Sequence, residues 1–79
     1  VMDEMQVKVL FYNRPSVLVR LVGLLSKPGL NIDNMVVKPS EQQDLSNMLI
    51  MVEGNQEELQ LIFKQIEKLD DVIKIDRVD

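Results

Sequence analysis

The stretch from Asn13 to Asp33, N-R-P-S-V-L-V-R-L-V-G-L-L-S-K-P-G-L-N-I-D, decides how the rest of the chain is read. Pro15 suits the first position of a helix, where a missing N–H costs nothing, and it drives the residue before it out of helical conformation. Arg14 is therefore the expected N-cap, with Asn13 just outside. Arginine caps weakly, so the orphan N–H groups of this helix start keep room for another partner. From Val17 onward the apolar residues fall at 17, 18, 21, 22 and 25, with Leu24 flanking and Arg20 on the far side. That spacing is one face of a helix. Gly23 weakens the helix by ~1 kcal/mol relative to Ala, and close packing against a sheet is the simplest expected compensation. Pro28-Gly29 stops the helix, and a strand begins through Asn31.

Working outward, Met5 to Tyr12 alternates, with Met5, Val7, Val9 and Phe11 on one side and Gln6, Lys8, Leu10 and Tyr12 on the other. This is a strand pattern. Residues 30–38 form a second strand, 39–44 a polar loop expected to be the most mobile segment, and 45–53 a third strand. Gly54-Asn55 is a turn. Residues 56–69 carry apolar side chains at 59, 62, 63, 66 and 69, a second amphipathic helix with Glu57 and Glu58 at its start and Lys64 and Lys68 near its end. Residues 72–78 make a last strand. The order β-α-β-β-α-β predicts a ferredoxin-like α+β sandwich: a four-stranded antiparallel sheet with two helices on one face. One domain covers residues 1–79, with its core over 5–78.

The second and third strands are apolar on both sides. Met35, Val37, Leu49 and Met51 are read along one face, and Val36, Met48, Ile50 and Val52 along the other. A sheet covered by helices on one side should be polar on its open side, so the excess marks a binding surface. The simplest cover is a second copy about a two-fold axis, a homodimer. The competing explanation is that the apolar excess only lines a thick core.

Composition removes several function classes. The net charge is −4 and the basic residues are scattered, which argues against a nucleic-acid face. There is no Cys and no His, so disulfides, structural zinc, a thiol nucleophile and imidazole catalysis drop out. No apolar run reaches the ~18 residues of a membrane span, and a cytoplasmic location is the expectation. The chain begins at Val1 rather than Met, as a trimmed or excised piece would.

The run V-K-V-L-F-Y-N-R-P-S-V-L-V-R-L-V-G-L-L-S-K-P-G-L-N-I-D resembles the opening of an ACT domain, a small regulatory module that binds amino acids. More narrowly it resembles the small, regulatory subunit of acetolactate synthase. The closing run from Gln65 to Ile75, Q-I-E-K-L-D-D-V-I-K-I, matches the Q-[ILV]-x-K-L-x-D-V ending of that family's second helix. The resemblance implies a non-catalytic chain that activates the acetolactate synthase catalytic subunit and mediates feedback inhibition by a branched-chain amino acid, chiefly valine. Thiamine diphosphate, magnesium and a flavin would belong to that partner, and this chain would hold no cofactor or metal. The alternative is an ACT-type sensor serving another enzyme of amino-acid metabolism.

The expected effector seat follows from chemistry as well as resemblance. Backbone N–H groups of Ser16 and Val17 would take a carboxylate at the helix start. Asn13 would address the carboxylate or the ammonium. Asn31 and the backbone around Ile32 of the facing chain would complete the ring, with Ile32 against an aliphatic side chain. The family usually has glycine where this chain has Ser16, whose Cβ and hydroxyl take up space beside the backbone.

Each of these residues also has a plain structural role: Asn13 as a turn residue, Asn31 at a strand start, Arg14 as a solvated cation. Glu57-Glu58 and Asp70-Asp71 read as surface charge rather than catalytic pairs. An acylphosphatase-like site using Arg14 and Asn47 lacks the glycines its loop needs. A single-stranded RNA binder would carry aromatics on the third strand, and this one has none.

Overall fold

The computed structural model describes residues 2–78; residues 1 and 79, the two ends of the expected domain, lie outside the described part. The elements are β1 (Asp3–Tyr12), α1 (Pro15–Leu25), β2 (Asn31–Pro39), β3 (Leu45–Gly54), α2 (Gln56–Glu67) and β4 (Val72–Arg77). They form one antiparallel sheet in the order β2-β3-β1-β4. The β-α-β-β-α-β order holds throughout, with small shifts at element ends. The first strand starts two residues earlier than its alternation suggests. The second helix ends at Glu67 rather than Leu69.

The core lies between one sheet face and the two helices. Met5, Val7, Val9 and Phe11 of β1 and Met48, Ile50 and Val52 of β3 meet Val17, Leu21 and Leu25 of α1 and Leu59, Ile62 and Ile66 of α2. Of the apolar residues read along α1, Leu18 and Val22 sit at the margin, more than a third exposed. Three glycine and cap details hold the helices in place. Gly29 has φ of +91°, a left-handed conformation that lets the chain leave α1 sharply. Lys27 Nζ at that exit donates to Gln65 Oε1 of α2 at 2.6 Å. Asn55, read only as a turn, is also the N-cap of α2: its side chain accepts from the Glu58 N–H at 2.8 Å.

Two expectations are corrected. The first is the division of β2 and β3 into faces. In the observed register Met35 pairs with Ile50 and Val37 with Met48, while Val36 pairs with Leu49 and Asn34 with Met51. Partners in an antiparallel ladder share a face. Met35 and Val37 therefore lie with Met48, Ile50 and Val52 on the helix side, and the open side carries Val36, Leu49 and Met51. Register alone decides this, because β2 contains a bulge between Ile32 and Asn34 that an alternation count passes over. The open face is still apolar at its centre, but less so than expected.

The second correction is Gly23. A Cβ built there meets nothing within 4 Å, so no close packing against the sheet compensates for its helix cost. Gly23→Ala is expected to raise stability by about 1 kcal/mol, read as a higher urea midpoint with an unchanged slope.

Candidate functional site

The start of α1 is built at one end of the sheet. β1 ends at Tyr12, whose N–H donates to Asp71 O at 3.0 Å, and Asn13 N–H donates to Asp44 O at 2.8 Å. These bonds pin the turn between β1 and α1 to the chain before β3 and β4. Arg14 is the N-cap, with extended backbone and no side-chain cap, and no acidic residue lies in the first turn. Its carbonyl accepts from Val17 N–H at 3.0 Å and from Leu18 N–H at 3.2 Å. Val17, expected to offer a free donor, has its N–H engaged there and its side chain in the core. Ser16 is left as the amide facing outward, and both Ser16 and Asn13 are exposed.

Arg14 is more than a solvated cation. Its guanidinium bonds Asp71 Oδ1 at 3.2 Å and lies 5.0 Å from the Tyr12 ring centroid, and Arg20 approaches Asp71 Oδ2 at 4.0 Å. Asp71 thus clamps the turn from the far side of the chain, a role that its neighbour Asp70 gave no means of separating in sequence. The pairs are exposed, so each contributes less than ~1 kcal/mol. Their effect is to orient the helix start.

Asn31 and Ile32 lie at the opposite end. Tyr12 pairs with Leu45, whereas Asn31 pairs with Glu53. Eight residues of β3 separate those partners, about 27 Å at strand spacing. One chain therefore does not bring Asn13 and Asn31 together. Asn31 faces the open side and donates through Nδ2 to Asp33 Oδ1 (2.9 Å) and Glu53 Oε1 (3.3 Å). With its donors so engaged, it presents its carbonyl oxygen to any newcomer. Ile32 turns to the other side and packs, half-buried, against its own core.

Glu4, Asp33 and Glu53 crowd around Asn31, with carboxylate oxygens within 4.8 Å of one another. The hydrogen bond with Asp33 raises the Glu53 carboxyl above its ordinary 4.5, repulsion from Asp33 and Glu4 adds to this, and donation from Asn31 opposes it. A folded-state pKa above the unfolded one means that the native chain takes the proton first as pH falls. Stability from this group therefore rises as pH drops through the window just above 4.5. Glu53→Gln should be the more stable chain at neutral pH, with the difference closing through that window. Urea midpoints of the two chains across pH check the sign.

The chain matches the family described as "AHAS small subunit-like ACT domain" over residues 7–74. It belongs to that family. Among its relatives, the probable acetolactate synthase small subunit of Archaeoglobus fulgidus is 39% identical over 72 residues, 91% of this chain and 45% of the relative. The isozyme 3 small subunit of Escherichia coli is 39% identical over 67 residues, 85% of this chain and 41% of the relative. This ACT domain thus spans less than half the length of the curated relatives it matches. The crystal structure of the small subunit from Thermotoga maritima superposes with a TM-score of 0.83 at 35% identity, covering 98% of this chain and 48% of that one. The ACT domain of a GTP pyrophosphokinase from Chlorobium tepidum also reaches 0.83, at 15% identity, and speaks for the fold alone. Among the described residues, no helix is long and apolar enough to cross a membrane.

Proposed function

We propose that this ACT domain is the effector-sensing part of an acetolactate synthase regulatory subunit, non-catalytic and cytoplasmic. It activates the catalytic subunit and passes on feedback inhibition by a branched-chain amino acid, valine first. The observation that carries the reading is the uncapped start of α1, where Asn13 and Ser16 are both exposed. An amino acid's carboxylate suits that positive helix end. Its ammonium suits the Asn31 carbonyl, whose amide donors are already engaged. Thiamine diphosphate, magnesium and flavin belong, on this reading, to the catalytic partner.

The two halves of the seat meet only between copies. Stacking the open sheet faces does not join them, because α1 lies on the other side of the sheet. Pairing two β2 edges does. β2 is an edge strand of nine residues with a free row of backbone groups. An antiparallel two-fold pair sets the start of one β2 against the end of the other. Asn31 of one copy then falls beside Pro39 of its neighbour, at the end of the sheet where Asp44 holds Asn13. Ile32 contributes backbone there rather than its side chain.

The test is functional. Added to an acetolactate synthase catalytic subunit, the full regulatory chain containing this domain should co-purify with it and raise its rate, and valine should reverse the gain. No change in rate and no co-purification would transfer the domain to another enzyme of amino-acid metabolism.

A further inference from the structure

The open face of the sheet has a division of charge that the effector seat does not use. Side chains on this face alternate with the core residues along each strand. Toward the end of β1 lie Lys8, Lys38 and Lys74, around Leu10, Asn47 and Leu49; toward its start lie Glu4, Asp33 and Glu53, around Asn31. Val36, Leu49 and Met51 occupy the middle. Asp76 is the one acid in the basic half, and Lys74 pairs with it at 3.6 Å. Among the described residues, Lys8, Lys38 and the three acids of the other half form no ion pair. A shallow trough lined by Lys8, Val36, Lys38, Pro39, Asn47 and Leu49 opens on the basic half.

We propose that this face stacks on the same face of a second copy with strands antiparallel, each lysine half covering the other copy's carboxylate half. Two kinds of two-fold axis can lie in the plane between two stacked sheets. An axis along the strands keeps the ends together and sets lysine over lysine and acid over acid. An axis across the strands exchanges the ends, so both halves are neutralised at once; with that axis over Gln6 and Met51, Glu4 of one copy lies over Lys8 of the other and Met51 meets its counterpart. Opposite charges at sheet spacing then steer the register, and like charges exclude the other arrangement. The face measures roughly 34 by 19 Å from strand dimensions. Two such faces bury about 1,300 Å², the low end of specific interfaces, as suits a reversible pair. It is compatible with β2 edge pairing, which uses backbone at the sheet's border.

Sedimentation of the chain and its charge variants tests the stack. Glu4 and Lys8 are exposed residues of β1, an interior strand, so reversing them leaves the β2 edges unchanged. Lys8→Glu and Glu4→Lys should each weaken association about tenfold, because the symmetry doubles every lost pair. Raising salt from about 50 to 500 mM should weaken the parent chain in the same direction. The decisive sample is an equimolar mixture of the two variants: each acid then faces a lysine again, and association should return to the parent level. Circular dichroism confirms that both variants fold. Indifference to both reversals, failure of the mixture to recover, or a parent chain that is monomeric at about 0.5 mM would overturn the proposal. The basic half would then remain open to an acidic partner of another kind. Valine calorimetry reads the edge-paired seat separately: indifference to the charge reversals, or failure of the mixture to recover, sinks the stack and leaves that seat standing, whereas a strictly monomeric parent chain would sink both.

Discussion

Phe11→Ala is expected to remove roughly a quarter or more of the domain's stability. Phe11 is 1% exposed at the centre of the core and sits near the end of β1, two residues before Asn13. Truncating a buried Phe typically costs 3–5 kcal/mol through lost transfer energy and the cavity left behind. A domain of this length has only about 4–12 kcal/mol of stability in total. The melting temperature should drop by at least about 12 °C, given ~4–8 °C per kcal/mol for small domains. Val19→Ala, at a position 72% exposed on α1, should move it by no more than a degree or two. Thermal denaturation followed by circular dichroism compares them. A Phe11→Ala chain melting with the parent would mean that the core is not where these side chains place it.

The second large effect concerns the seat. Valine binding to the parent chain should give measurable heat, and Asn13→Ala should weaken it by about 10–100-fold, the usual cost of removing a hydrogen bond to a charged group. Asn31→Ala should do the same although Asn31 lies at the far end of its own sheet. Because each seat takes one asparagine from each copy, mixing the two variants makes heterodimers with one intact seat and one doubly damaged one. Random pairing makes half of the dimers mixed, so the mixture should regain about a quarter of the parent's sites, at parent affinity. Ser16→Gly, which removes the Cβ beside the exposed amide, should tighten binding. Silence from valine, leucine and isoleucine alike in the parent and in Ser16→Gly would remove the seat altogether.

Much of this was legible from local rules. Pro15 after Arg14 placed the helix start, Pro28-Gly29 placed its stop, and the alternation from Met5 to Phe11 named the buried side of β1 correctly. Such features act within a few residues, through steric limits on the backbone or the two-residue period of a strand, and so survive in a one-dimensional string. The errors came where partners are distant in sequence. The bulge at Asp33 exchanged the faces of β2 relative to β3, and only the pairing with Asn34, Val36 and their partners exposes it. Gly23 sits on the exposed side of α1, where nothing comes within 4 Å of a Cβ built on it. Arg14 passed for a solvated cation because Asp71, 57 residues away, carried no mark that it would come within 3.2 Å.

The amino-acid order by itself determined the six elements, their sequence along the chain, the family and the chemistry available at the start of α1. Each depends on torsional preferences and side-chain types that a residue keeps wherever the chain goes. The tertiary structure alone decided which apolar residues reach the open face, that Asn31 gathers three carboxylates, and that Asn13 and Asn31 stand at opposite ends of one sheet. Those are matters of register and topology, set by the summed burial of the whole core, and no local segment contains them.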